Sequence, residues 1–184
     1  MKFYLRQLFI FFTFSSQLFA QVKTKDPDAI RFPTPPDAPN RLFYLQRSNN
    51  ANAVIYDANL LKNNTIDPAN PVHAYWIRYG EDGLKKELSS IQRNLAYGLH
   101  FGENTNSFES YEGHFLAYRK RKFIIELDKN KKPVALFPIN GKLQILLHAY
   151  VKVEEAGMFP KVPYIELFGK DPKTGADVYE KFKP

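Results

Sequence analysis

The single tryptophan and an arginine two positions later are the most informative pair of side chains in this sequence. In the segment PVHAYWIRYG, residues 71–80, strand alternation puts Trp76 and Arg78 on one face. An aromatic ring can stack on a ligand while a guanidinium group holds its anionic part. The same pair could instead be core packing beside an edge residue whose charged end reaches water. The other face of this strand would carry His73, Tyr75, Ile77 and Tyr79.

Two further arginines could meet Arg78 at one end of a sheet. Arg47 ends an apolar segment, and Arg93 lies on a predicted helix. If that helix packs over the end of the sheet, three guanidinium groups line one cavity. A carboxylate, phosphate or sulfate would complement them, because guanidinium offers a planar fork of donors. We therefore predict a ligand-binding set made of Arg47, Trp76, Arg78 and Arg93. We predict no catalytic residue and no cofactor.

Four histidines, His73, His100, His114 and His148, are the other candidates for chemistry. All fall in predicted strands or at their ends, and two or three could converge with a carboxylate such as Glu112 on a metal ion. No pair has a short ligand spacing such as H-x-H, so we favour structural, hydrogen-bonded histidines and predict no metal site. A hydrolase whose site combines acids with His73, His114 or His148 is the weakest functional alternative.

Several functional classes are disfavoured by what the sequence lacks. The 184 residues include no cysteine, which removes thiol catalysis, disulfide scaffolds, iron–sulfur clusters and cysteine-ligated zinc. No G-x-S-x-G elbow, glycine-rich phosphate loop, H-E-x-x-H helix or EF-hand loop occurs. These absences favour a protein other than an enzyme.

A basic run, Arg119-Lys120-Arg121-Lys122, stands between two apolar segments. Such a run could attract nucleic acid or an acidic glycan. A solvated hairpin tip, or an edge strand whose charges prevent aggregation, accounts for it equally well. We favour the solvated edge and predict no nucleic-acid partner.

The first twenty residues have the features of a secretory signal peptide. Lys2 and Arg6 precede an uncharged, largely apolar stretch, residues 8–20, which ends in the small residue Ala20. This stretch is too short to cross the roughly 30 Å of a bilayer core, which needs about 20 apolar residues. We predict cleavage after Ala20, export to the periplasm or out of the cell, and no transmembrane segment in the mature chain.

The remaining sequence divides into a leader and one domain. Residues 21–40 contain five prolines and predict an extended leader or surface strap. In residues 41–184, short runs of Tyr, Phe, Val and Ile alternate with turn-forming clusters, which is typical of a single β-rich domain. Turns are predicted at 48–52, 128–132 and Asn140-Gly141. Strands are predicted at 42–48, 53–60, 72–79, 97–101, 111–118, 122–128, 133–138, 142–153, 163–168 and 177–182.

One amphipathic helix is predicted near 83–97. Asp82 can cap its start and Gly98 can end it. Many short strands with one helix favour a mainly β fold, an antiparallel sandwich or barrel of about eight strands, over parallel α/β. The apolar stripe of the helix, spaced i, i+4, i+7 and i+11, consists of Leu84, Leu88, Ile91 and Leu95.

Four stretches of the sequence carry a resemblance to a known family. They are LFYLQRSNN at 42–50, NPVHAYWIRY at 70–79, SIQRNLAYG at 90–98 and YIELFGKDPKTG at 164–175. With the signal peptide and the proline-rich leader, they make the chain similar to a family of small exported bacterial proteins, the domain of unknown function DUF4833. The resemblance would cover nearly all of the chain after the signal peptide. It implies no activity, and it assigns no functional residue.

These observations together favour an exported binding protein for a small ligand that is anionic or amphipathic. Aromatic-rich strands with interspersed arginines, on a β framework that can enclose a cavity, support this interpretation. The alternative is a protein–protein interaction module of the cell envelope, which would use an exposed face or the leader. The expected partner is thus a small ligand or an envelope protein.

Overall fold

The protein is mainly β. The structure, a computed structural model, describes residues 32–102, 110–154 and 160–184, so the predicted signal peptide and residues 21–31 of the leader lie outside it. Helix in these ranges amounts to one π-helical turn, Gln92–Ala96, and no helix there is long and apolar enough to cross a membrane. The strands are β1 Arg41–Arg47, β2 Asn50–Ala58, β3 Val72–Ile77, β4 Lys85–Glu87, β5 Leu99–Phe101, β6 Ser110–Phe115, β7 Tyr118–Leu127, β8 Pro133–Ile139, β9 Lys142–Val151, β10 Ile165–Lys170 and β11 Asp177–Phe182.

All eleven strands belong to one sheet, more than the eight or so expected. Nine follow the order β4-β3-β2-β1-β9-β8-β7-β6-β5, and β10 and β11 extend from β9. The long strand β9 pairs with β8 through residues 142–145, with β1 through 148–151 and with β10 through 145–151. The prediction of a purely antiparallel sheet is wrong at one place, because β1 and β9 run parallel. Strands so far apart in the sequence need no hairpin between them, and either direction is open to them.

The sheet curls into a half-barrel. Neither β1 nor β2 pairs with β6 in the strand order. The ring centroids of Phe43 on β1 and Phe115 on β6 are nevertheless 5.9 Å apart, and those of Tyr56 on β2 and Phe115 are 5.7 Å apart. This single curled sheet does not confirm the sandwich or barrel of the sequence prediction.

Strand alternation sorts the side chains onto the two faces. The main core lies on the concave face and includes the aromatic side chains of Phe43, Tyr56, Trp76 and Phe123. A smaller cluster on the convex face contains Ala53, Ile55 and Tyr75, with Tyr44, Ile77 and Tyr79 packed against it. As predicted, Trp76 faces away from Tyr75, Ile77 and Tyr79.

Residues 32–40 form a strap against the convex face. The Gln46 side-chain amide donates a hydrogen bond to the Pro33 carbonyl (2.9 Å), and the Arg41 guanidinium donates one to the Pro36 carbonyl (3.2 Å). Pro35 is buried. These contacts fit the strap interpretation for the described part of the leader.

The predicted helix near 83–97 is wrong. The chain reverses in a tight turn in which Gly83 has a φ of 71°, a left-handed conformation that glycine adopts without strain. Asp82 accepts a hydrogen bond from the Leu84 amide inside this turn, and residues 85–87 then pair with β3 as β4. Of the four stripe residues Leu88 alone is buried; the others, 63–73% exposed, are Leu84, Ile91 and Leu95.

The predicted turns are confirmed. Asn140 and Gly141 both have positive φ values, 52° and 75°, which is the requirement of a type I′ hairpin between β8 and β9. The Asp128 carboxylate accepts backbone hydrogen bonds from Asn130 and Lys132 and so closes the turn between β7 and β8. The turn between β1 and β2 is formed by residues 48–49, and the rest of the predicted 48–52 turn is the start of β2.

An ion pair ties the last strand to the sheet. Arg121 on β7 makes two hydrogen bonds to the Glu180 carboxylate on β11, at 2.7 and 2.9 Å, and its guanidinium carbon lies 3.8 Å from the Phe182 ring centre. Both charged side chains are largely buried. The neighbouring Lys122 instead binds the exposed Glu112 (2.7 Å). The basic run is therefore divided between a structural pair and the solvated surface.

Replacing Glu180 with Gln tests this pair. We expect a loss of about 1.5–3 kcal/mol in unfolding free energy at pH 7, since hydrogen bonds to charged groups are worth that much. Urea unfolding measures it. The Arg121 hydrogen bonds lower the pKa of Glu180, so the stabilisation is present above the usual carboxyl pKa and is lost as the pH falls through the lowered value.

The matched control is Glu112→Gln, which removes the exposed pair with Lys122 and should cost under about 1 kcal/mol. Equal losses in the two variants, or a Glu180→Gln effect that persists unchanged at pH 2, would contradict the assignment.

Candidate ligand-binding site

The concave face carries an apolar cavity of about 420 Å³ that is partly open to solvent. Strand β1 and strands β6 to β11 contribute side chains to its walls, together with residues next to the π-helical turn. Its volume lies within the roughly 300–1,000 Å³ range typical of small-molecule pockets. Among the apolar residues that line it are Leu45, Phe115, Phe137, Leu146, Ala149 and Leu167.

Arg47 is the one charged side chain among the described residues that line this cavity. Its guanidinium carbon lies 5.2 Å from the centre of the Trp76 ring and 5.4 Å from that of Tyr97, and these two rings pack edge to face at 5.0 Å. Cation–π attraction therefore holds the arginine between the rings. Burial raises the pKa of Tyr97, and the Arg47 charge and a hydrogen bond between the two side chains oppose that rise, so the phenol is neutral at pH 7.

The Arg47 Nε atom is buried and has no hydrogen-bond partner in the described part of the chain. No carboxylate in the same ranges forms an ion pair with Arg47. A buried donor without a partner costs about 1–3 kcal/mol. An anionic acceptor at the rim of the cavity would remove that cost.

Local structure fixes the three members of this cluster. Arg47 is the last residue of β1. The hydroxyl of the next residue, Ser48, donates a hydrogen bond to the Val153 carbonyl (3.0 Å) and accepts one from the Val153 amide (2.8 Å), which holds the end of β1 beside the segment that follows β9. Trp76 faces inward on β3 by alternation. The Tyr97 carbonyl accepts a hydrogen bond from the Tyr56 hydroxyl (3.0 Å), which holds the end of the π-helical turn over the sheet.

A second, polar pocket of about 370 Å³ adjoins the first. Arg47 lines both, so its guanidinium lies between an apolar and a polar compartment. The polar pocket is formed by the ends of β1 and β3, by β4 and by the start of the π-helical turn. Its lining residues are Arg47, Asn52, Trp76, Arg78, Glu81, Lys86, Glu87, Ser89 and Gln92.

The structure brings together three of the four residues predicted to bind a ligand. Arg78 lines the polar pocket with Arg47 and Trp76, but its guanidinium already binds Glu81 (2.7 Å) and Asp82. Arg93 lies apart: it donates a hydrogen bond to the Leu88 carbonyl (3.1 Å) and lines a different cavity. Arg93 is displaced because the predicted helix does not form: residues 85–87 form β4 instead, and Arg93 lies in the π-helical turn that follows.

Two contributors, Tyr97 and Lys86, are absent from the predicted site. Both lie in the segment that the sequence pattern assigns to a helix. On such a helix the lysine would be exposed to solvent and the tyrosine would lie at its end, so neither is expected in a binding site. The alternation signal that finds Trp76 could have found Lys86 only if β4 had been recognised. The cavity itself has no sequence signal, because its volume depends on how the curled sheet packs.

Two of the four histidines are close neighbours, but the described residues include no group of three or more His, Asp or Glu side chains that could hold a metal ion. His73 binds the Glu87 carboxylate through Nε2 at 2.9 and 3.0 Å on the exposed surface, and the rings of His100 and His114 are 5.2 Å apart. Burial and the neighbouring His100 lower the pKa of His114. Glu112, the acid expected near the histidines, binds Lys122 instead.

His148 is stacked between two aromatic rings on the convex face. The ring centroids of Tyr44 and Phe168 are 4.4 and 5.1 Å from that of His148. Its Nε2 atom is buried without a hydrogen-bond partner in the described residues, and burial lowers its pKa to about 4. His148 is therefore a neutral packing residue at physiological pH.

Replacing His148 with Phe should change the pH dependence of stability. The folded-state pKa is below the ordinary 6.5, so the unfolded chain takes up the proton first and stability falls as the pH drops from 6.5 to 4. A shift of this size corresponds to roughly 3 kcal/mol. In His148→Phe this loss of unfolding free energy between pH 6.5 and 4 should disappear. Urea unfolding at several pH values measures it.

The neighbouring, exposed Leu147 gives the control, since Leu147→Ala changes no titratable group and should keep the pH dependence of the wild type. If His148→Phe and the wild type lose the same unfolding free energy between pH 6.5 and 4, the assignment of His148 as a neutral residue with a lowered pKa is wrong.

The fold and the site define a mainly β domain, a single curled sheet with an interior cavity and a cation at its rim. The chain belongs to the family described as Domain of unknown function (DUF4833), whose model matches residues 43–181. This confirms the resemblance seen in the four sequence stretches, and the matched range contains Arg47, Trp76, Tyr97 and all the lining residues of the cavity except Phe182 and Pro184. Neither the curated proteins nor the solved structures include a match to the chain.

Proposed function

We propose that the protein is an exported binding protein for a small amphipathic anion. The observation that carries the proposal is the apolar cavity with Arg47 at its rim, whose Nε atom is buried without a hydrogen-bond partner in the described residues. An apolar chain would occupy the cavity, and an anionic group would bind Arg47. The expected signal peptide at residues 1–20 supports a site of action in the periplasm or outside the cell.

The two parts of such a ligand would gain free energy in different ways. Transfer of the chain out of water contributes about 25 cal/mol for each Å² of apolar surface buried. The anion would supply the acceptor that Arg47 Nε lacks, and a charge-assisted bond to a desolvated guanidinium is among the stronger hydrogen bonds. Because Trp76 and Tyr97 already hold the guanidinium in place, little side-chain entropy is lost on binding.

The test uses two amphiphiles with the same twelve-carbon chain and opposite charges, dodecanoate and dodecyltrimethylammonium, titrated into the protein by calorimetry. The wild type should bind dodecanoate more tightly. Arg47→Gln should weaken dodecanoate about tenfold to a hundredfold, the equivalent of one charged hydrogen bond. Binding of dodecyltrimethylammonium should not weaken in that variant.

Two further variants complete the experiment. Arg119→Gln removes an exposed arginine that does not line the cavity and should leave both affinities unchanged. Ala149→Phe fills the cavity and should weaken both amphiphiles, with folding checked by circular dichroism. The proposal fails if the wild type binds neither amphiphile, or binds both equally with no effect of Arg47→Gln.

A second candidate, an interaction module of the cell envelope, is supported by a gap between two strand edges. Strand β4 pairs with residues 75–77 of β3, so residues 72–74 have no strand on that side among those described, and β5 ends the nine-strand path. Both edges line a cavity of about 430 Å³. An extended peptide could add between them and hydrogen-bond to each edge.

Site-specific photo-crosslinking in the host envelope would test this candidate. Crosslinkers placed at His73 and at His100, which both line the gap, should capture one and the same envelope protein. A crosslinker at Lys129, in the turn between β7 and β8, is the control and should not capture it. Capture from all three positions, or from none, would argue against strand addition at this gap.

A further inference from the structure

We infer that the anionic group of the ligand is a phosphate monoester carried on a single apolar chain, and that Arg47 and Lys86 bind it in the polar pocket. This inference rests on the proposed function, because the apolar cavity must hold the chain whose head reaches the pocket. It adds the chemistry of the head group, which the cavity alone does not define.

Strand β4 directs Lys86 into the polar pocket. Its backbone pairs with Trp76, the inward-facing residue of β3, and its side chain lines the pocket. The preceding residue points to the other face, where the Lys85 amine lies 3.8 Å from the centre of the Tyr75 ring. The two adjacent lysines are therefore on opposite sides of the sheet.

The charges in the pocket leave two cations unpaired. Glu81 is bound by Arg78 at 2.7 Å, and Glu87 is bound by His73 at 2.9 Å, so both acids have a partner. Neither Arg47 nor Lys86 forms an ion pair with a carboxylate in the described ranges. Arg47 and Lys86 are thus the two cations of the pocket lining without a carboxylate partner in the described ranges, whereas Arg78 is shared by Glu81 and Asp82.

The neutral groups of the pocket offer donors. The Gln92 side-chain oxygen accepts hydrogen bonds from the Trp76 indole (3.2 Å) and the Ser89 amide (2.9 Å), which fixes the orientation of this side-chain amide. The Asn52 side-chain oxygen accepts one from the Gly80 amide (2.8 Å). With these oxygens occupied, the two NH₂ groups and the Ser89 hydroxyl remain to donate. A ligand group that only accepts hydrogen bonds fits this arrangement.

A phosphate monoester matches both properties better than a carboxylate does. It carries about −1.5 to −2 charges at pH 7 and three strongly accepting oxygens. Arg47 can bind two of those oxygens through its planar fork, while Lys86 supplies a compact second charge. A carboxylate has one charge and two oxygens, and it would leave the Lys86 charge uncompensated.

The test is a set of titrations at pH 7.5 with dodecyl phosphate, dodecanoate and inorganic phosphate. The wild type should bind dodecyl phosphate at least about tenfold more tightly than dodecanoate, one further charge-assisted contact being worth that factor. Inorganic phosphate, which lacks the chain, should bind at least about a hundredfold more weakly than dodecyl phosphate.

The adjacent lysines provide a matched pair of variants. Lys86→Gln should weaken dodecyl phosphate about tenfold and dodecanoate less than about threefold, while Lys85→Gln should leave both affinities within about twofold. Both residues are exposed, so neither substitution threatens folding.

Each result is decisive. Equal affinity for dodecyl phosphate and dodecanoate, or equal effects of the two lysine variants, would overturn the phosphate inference and leave the amphiphile site standing. Inorganic phosphate binding as tightly as dodecyl phosphate would show a free-phosphate site and overturn the role of the chain. If neither amphiphile binds, the proposed function fails with the inference.

Discussion

The parallel pairing of β1 with β9 joins two otherwise separate halves of the sheet. Strands β1 to β4 form one antiparallel set and β5 to β11 form another, and β1 and β9 are the neighbours through which the two sets connect in the strand order. Ser48 extends the connection past the end of β1 by bonding with the Val153 backbone. The curl of the half-barrel, and with it the cavity, depends on this junction.

The same junction places a cation where the two sets face each other. Arg47 is the last residue of β1 that pairs with β9, Trp76 comes from the first set, and Tyr97 leads into the second. A guanidinium in such surroundings is costly unless its charge is balanced. The two aromatic rings balance the charge in part. Proteins that break such a packing rule generally do so at functional sites, which is why this arginine points to a binding site.

Features governed by neighbours in the sequence could be predicted, and those governed by distant contacts could not. The Asn140-Gly141 turn and the inward position of Trp76 follow from residue type and alternation. A helix is consistent with the spacing of Leu84, Leu88, Ile91 and Leu95. This spacing does not reveal that the backbone of β3 is available to pair with residues 85–87, which therefore form a strand. That one displaced segment explains why Arg93 is misplaced in the prediction and why Tyr97 and Lys86 are missing from it.

The long separation of the paired segments also has a kinetic consequence. Ser48 and Val153, which close the junction, are 105 positions apart in the chain. Contacts this distant in sequence slow folding, because a large loop must close before they form. During synthesis, which begins at the N-terminus, β1 is made long before β9, so one of its edges waits without a partner and is open to misassembly. The cavity would then be among the last features to mature, when the final third of the chain arrives.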